Sequence, residues 1–230
     1  MRVILRNILA GKSIGSLRAD GTFDEGIHLV TGDVGSGKTT LALITAGIEP
    51  PCSGRIEEEG ISTKMLAFQH PEYAVTGTTL DEECASWGLD TSQILKSCGI
   101  ERERSSNPLS LSRGELKRLQ LSCVLAGSYD LMILDEPFSS LDCIEKERIC
   151  HVLSGRTRGI TIIFTHEQMT FPRVDRVWEI IDGVLWDLGA LPEAFVRWNH
   201  APPVVKRLIA AGKIPKNLTR DDILEVACRI

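Results

Sequence analysis

Short apolar runs recur along the chain, and stretches of helical character separate them. Residues 27–30 read as a buried strand that enters a glycine-rich turn and then a helix over 40–46. Residues 64–68, 131–134, 160–164 and 176–181 read as further strands. Runs that stay apolar, instead of alternating with polar positions, belong to strands covered on both faces, and helices between such strands mark a parallel sheet. The pattern predicts an α/β fold with a mostly parallel sheet core. Residues from about 72 to 127 lack strong strand runs and predict a helical subdomain inserted into that core. A helix pair is expected around 204–209 and 221–226, with the turn 213–217 between them. The chain therefore divides into a main domain over 1–190 and a C-terminal helical extension over 191–230.

Composition narrows the class. A chain of 230 residues can bury one sizeable core, and 43% hydrophobic with 25% charged residues is ordinary for a soluble globular protein. The net charge of -5 provides no global basic field for nucleic acid, so no direct nucleic-acid partner is expected. No apolar run approaches the roughly 20 residues of a membrane span. Residues 1–7 are not a long apolar stretch leading to a small-residue cleavage site, so the protein is expected in the cytosol. Seven cysteines without a C-x-x-C pair fit reduced thiols.

The chemistry enters at the turn after the first apolar run. Gly32-Asp33-Val34-Gly35-Ser36-Gly37-Lys38-Thr39 fits the pattern G-x-x-x-x-G-K-[ST] between a strand and a helix. Glycines let the backbone wrap phosphate oxygens, the amides point inward, and the helix N-terminus adds partial positive charge. Lys38 is expected on the β- and γ-phosphates and Thr39 on Mg²⁺, with ATP as the nucleotide. The strand at 131–134 ends in Asp135-Glu136. Ligands of a parallel sheet sit beyond the carboxyl ends of its strands, which puts both carboxylates near the loop. Asp135 suits the Mg²⁺ shell, and Glu136 suits a general base acting on water. Residues 1–22 contain no aromatic side chain to stack on a base, so GTP can compete with ATP; Phe23 reads as core.

Further segments carry a family resemblance. Leu111-Ser112-Arg113-Gly114-Glu115 resembles the LSGGQ signature of ABC ATPases and starts 24 positions before Asp135. Residues 137–142 resemble the segment leading through that family's D-loop, Phe164-Thr165-His166-Glu167 its switch histidine, and Gln69 its Q-loop glutamine. Residues 67–72 and 75–83, with the tail from Ala201 to Ile223, resemble the energy-coupling-factor and cobalt/nickel importer subgroup. The resemblance implies an ABC-type P-loop NTPase fold and an ATPase that powers import of a vitamin or transition-metal ion. It implies a homodimer, or a heterodimer with a paralogous ATPase, packed head to tail on a polytopic membrane scaffold at the inner face of the membrane. Thr40 joins the nucleotide contacts in this picture, and Gln69 senses Mg²⁺ and links the site to the helical insertion. Ser112 and Gly114 face the nucleotide of the second chain, Asp142 crosses the interface, and His166 contacts the γ-phosphate. Pro71, Glu72 and Tyr73 fall where the family docks its membrane partner. The alternative is a soluble ABC-type switch acting on nucleic acid or the translation apparatus.

Besides the missing aromatic, Arg113 replaces a signature glycine, Glu115 replaces a glutamine, and the chain is short between Lys38 and Gln69 and again in the helical insertion. Lys117 and Arg118 are expected to face solvent, and Glu57 to Glu59 to form a solvated turn. His28, His70, His151 and His200 are expected in ordinary surface or hydrogen-bonded roles, and Trp87, Trp178, Trp186 and Trp198 in core or interface.

Overall fold

The computed structural model describes residues 1–11 and 16–228. Its N-terminal part holds β1 (Arg2–Ala10), β2 (Leu17–Asp24), β3 (Gly26–Gly32), α1 (Lys38–Ala46), β4 (Ser53–Glu59) and β5 (Lys64–Ala67). The helical insertion holds α2 (Leu80–Ser86), α3 (Thr91–Cys98) and α4 (Arg113–Ala126). Then come β6 (Leu131–Asp135), α5 (Cys143–Ser154), β7 (Ile160–Phe164), β8 (Arg176–Ile181), β9 (Val184–Ala190), α6 (Pro203–Ala210) and α7 (Arg220–Ala227).

Among the described residues one sheet runs in the order β4-β1-β2-β9-β8-β3-β7-β6-β5. The strands from β8 to β5 are mutually parallel and are the apolar runs of the sequence. The remainder is a wing that the apolar pattern does not announce: β1 is antiparallel to β2 and β4, and β9 to β8. Its strands mix polar and apolar positions instead of running apolar throughout: β2 alternates buried and exposed residues along much of its length, and β4 is mostly polar. The acidic run Glu57 to Glu59 belongs to this wing. It lies in β4, paired with β1 and tied to Arg6, Arg55 and Lys64, and is not a turn.

Period-two alternation sends Ile27 and Leu29 of β3 to one face of the sheet and Val30 to the other. Leu41, Ala42 and Ile44 of α1 cover the Val30 face. The opposite face is covered by Leu121 and Val124 of α4 and by Ile149 and Leu153 of α5. Phe195, Trp198, Val205 and Leu218 enter that same core, so the C-terminal segment is fastened to the sheet by burial at roughly 2 kcal/mol for each large side chain. The insertion has a core of its own, built on Leu80, Leu95, Leu116 and Leu119. No described helix is long and apolar enough to cross a membrane.

Candidate nucleotide site

The phosphate loop leaves β3 at Gly32 and enters α1 at Lys38. Gly32 has φ +152°, and a Cβ there would stand 2.8 Å from the Ile180 carbonyl oxygen and 2.9 Å from Ser36 Oγ. Gly37 caps α1 in the left-handed region without any side-chain cap, and the first turn of α1 carries no acid. The helix amides are thereby left for an anion. Lys38 is buried and donates to the carbonyls of Gly32 at 2.8 Å and Asp33 at 2.9 Å. Burial lowers its pKa, against the pull of Glu136, Asp135 and Asp33.

A cleft of about 240 Å³ is lined by Val34, Gly35, Gly37, Lys38, Thr39, Thr40, Gln69, Glu136 and His166. The structure thus gathers the loop, the Q-loop residue, the acid and the histidine in one place. Asp135 lies buried at the end of β6. Burial raises its pKa, and the hydrogen bond from Thr39 works against that rise. Among the described residues, Asp135 Oδ1 is buried without a hydrogen-bond partner, as is Ser36 Oγ. An orphaned carboxylate oxygen next to a threonine hydroxyl suits a hard cation such as Mg²⁺.

Glu136 has φ +46°, a strained backbone for a non-glycine residue. Its amide donates to the Phe164 carbonyl at 2.8 Å, which locks the acid to the end of β7. Oε2 accepts from Thr165 Oγ1 at 3.0 Å and from the His166 amide at 3.3 Å, and Oε1 stands 2.7 Å from His166 Nδ1. Thr165, adjacent in sequence to His166, is a site residue that the motif alone leaves without a role.

The insertion meets residues 68–70 through Lys117 and Arg113. Lys117 is buried, and its Nζ donates to the carbonyls of Phe68 at 2.9 Å and Gln69 at 3.2 Å. Arg118 is half-buried. Neither residue is free in solvent: Lys117 shares a helix face with buried Gln120 and Val124, and Arg118 Nε is buried. Arg113 is exposed and places Nη2 3.2 Å from His70 Nδ1.

Ser112, Gly114 and Asp142 do not line the cleft. Ser112 caps α4, accepting from the Glu115 amide at 3.3 Å while Glu115 Oε2 accepts from the Ser112 amide at 2.8 Å, a capping box. Glu115 thus completes the cap of α4 at the position where the resembled motif has glutamine. A Cβ on Gly114 would stand 3.0 Å from the Ser140 carbonyl oxygen. Asp142 caps α5, accepting from the Glu145 amide at 2.9 Å. Of the N-terminal stretch without aromatics, residues 12–15 lie outside the described residues. The thiols of all seven cysteines are free.

The ABC transporter family matches residues 20–139. A Pyrococcus horikoshii protein named as an ABC transporter ATP-binding protein is 30% identical over 199 residues, 76% of this chain and 76% of that protein. The Thermotoga maritima energy-coupling factor transporter ATP-binding protein EcfA1 is 31% identical over 189 residues, 73% of this chain and 72% of that protein. A solved dimeric ATP-binding cassette in a post-hydrolysis state, bound to ADP and Pi, has the same fold, with TM-score 0.67 at 18% identity over 82% of this chain and 100% of that one.

Proposed function

Because the chain belongs to the ABC transporter family, we propose that it is the ATP-hydrolysing subunit of an energy-coupling-factor-type importer, working by closure of two such domains on ATP. That it is an ABC ATPase subunit that binds ATP follows from the family. The importer class, the closure and the residue roles are the proposal. The observation that carries it is the Glu136 carboxylate, held by Thr165 and His166 over the phosphate loop beside the orphaned Asp135 oxygen.

In this reading the loop amides from Gly32 to Thr40, the N-terminus of α1 and Lys38 bind the triphosphate. Thr39, Asp135 and Gln69 would hold Mg²⁺, which supplies neutralising charge on the β- and γ-phosphates. Glu136 takes a proton from water as the water oxygen bonds to the γ-phosphorus and the bond to the β–γ bridging oxygen breaks. His166 fixes the orientation of Glu136 and reaches the γ-phosphate. Ser112 and Gly114 present the N-terminus of α4 to the nucleotide of a second chain, identical or paralogous, and Asp142 lies across that interface. Residues 1–190 form the ATPase domain and 191–230 the extension. A polytopic scaffold docks at the Q-loop, where Tyr73 is 75% exposed, and holds the subunit on the inner face of the membrane. The cargo is a vitamin or a transition-metal ion.

Glu136→Gln is the test. The variant is expected to bind ATP with Mg²⁺, to lose hydrolysis and to accumulate as an ATP-dependent dimer by light scattering. Retained hydrolysis would remove Glu136 from its role, and absence of the dimer would refute head-to-tail closure.

A further inference from the structure

We propose that His200, in the C-terminal segment, is a positioning residue of the nucleotide site that neutralises Asp33 and keeps the phosphate loop receptive to a triphosphate. The inference rests on the reading of that loop as the ATP site.

Glu179 of β8 is wholly buried and stands in register with Thr31 of β3, two residues before Asp33. Its carboxylate accepts from the amides of Asn199 at 3.2 Å and His200 at 2.6 Å, and His200 Nδ1 lies 2.6 Å from Glu179 Oε1. The other ring nitrogen, Nε2, is 3.0 Å from Asp33 Oδ1. Two residues earlier, Trp198 Nε1 donates to Thr31 Oγ1 at 2.8 Å. Trp198 and His200 thus grip Thr31 and Asp33 at the root of the loop from outside the motif.

An ionised carboxylate only accepts, so with Glu179 and Asp33 both ionised the two ring contacts are satisfied together only when both nitrogens carry protons. The ring is then an imidazolium between two carboxylates. A carboxylate in a loop that receives a polyanion repels its ligand. Asp33 is 85% exposed in its side chain, and solvent screens only part of that repulsion. The imidazolium offsets the rest, and it is held in place by a buried carboxylate rather than by a mobile surface chain.

The test is ATP affinity by calorimetry with steady-state hydrolysis, on the full chain, His200→Gln, Asp33→Asn and the double variant. Glutamine keeps a donor and loses the charge. His200→Gln is expected to weaken ATP binding about fivefold, the upper end for an exposed ion pair. KM should rise in step while kcat stays within about twofold. In the Asp33→Asn background the same substitution is expected to change affinity by less than about twofold. Asp33→Asn alone is expected to bind ATP at least as tightly as the parent. Equal losses in both backgrounds, unchanged affinity in His200→Gln, or weakened binding in Asp33→Asn would each overturn the proposal. A parent chain that bound no ATP would instead overturn the nucleotide-site reading, before any variant is made.

Discussion

Replacing Lys117 by methionine sets two opposed effects against each other. Lys117 is 2% exposed. Burial lowers its pKa from the usual 10.5 to about 8, with attraction to Asp135 and Glu136 opposing the fall. At about 1.4 kcal/mol per pH unit that displacement amounts to roughly 3 kcal/mol for holding the charge inside at neutral pH. Methionine, similar in length, removes this penalty but deprives the carbonyls of Phe68 and Gln69 of their donor. Each orphaned carbonyl costs about 1–3 kcal/mol. The two effects nearly cancel, so Lys117→Met is expected to change stability at neutral pH by less than about 2 kcal/mol, or roughly 8 °C in Tm at most for a chain of this size.

The pH dependence does not cancel. Between about 8 and 10.5 the unfolded chain keeps a lysine proton that the folded chain has released. The unfolded state then binds more protons, and wild-type stability gains from that lysine as pH rises through the window. Methionine contributes no such slope. Urea unfolding of both proteins near neutral pH and again above about pH 9 measures the difference. The difference is expected to shift toward wild type at the higher pH, and one that stays constant or shifts toward the variant refutes the buried charge. Hydrolysis by Lys117→Met is expected to fall even where stability does not, because the Gln69 backbone loses its tether. A wild-type rate would show that the tether is structural only.

Thr165→Val removes one buried donor from the Glu136 carboxylate, a bond of about 1.5–3 kcal/mol to a charged acceptor. Steady-state kinetics are expected to show a lower kcat with KM for ATP near wild type, and a change confined to KM would contradict the positioning of Glu136. Gly32→Ala drives a Cβ against the Ile180 carbonyl and Ser36 Oγ. It is expected to destabilise the chain by about 1–3 kcal/mol and abolish ATP binding; wild-type melting and affinity would show that the loop can relax.

The parallel centre of the sheet was legible because β3, β5, β6, β7 and β8 are short runs of dense apolar character separated by helical stretches. The outer wing was not, since β2 reads Leu-Arg-Ala-Asp-Gly-Thr-Phe-Asp and β4 is mostly polar. The site divides along a similar line. The loop, Asp135 and Glu136 are contiguous motifs whose chemistry follows from residue type, and His166 is reached only through the family resemblance. Lys117 and His200 matter through carbonyls and carboxylates 48 and 167 positions away in sequence. Such pairings are fixed by packing and leave no local periodicity to read.

The carboxylates of β4 have a consequence for how the sheet ends. β4 is the outermost strand on its side, with a free row of amides and carbonyls that another strand could join. A second copy adding its own β4 edge to edge would bring Glu57 to Glu59 near their counterparts, and like charges across strands are destabilising. Arg55 and Arg6 hold the Glu57 carboxyl below the usual carboxylate range, with hydrogen bonding from Arg55 the larger influence. The register break between Arg6 and Leu9 further disturbs the regular pairing of this edge. Among the described residues, the acidic β4 edge of the sheet thus resists edge-to-edge addition of a second copy.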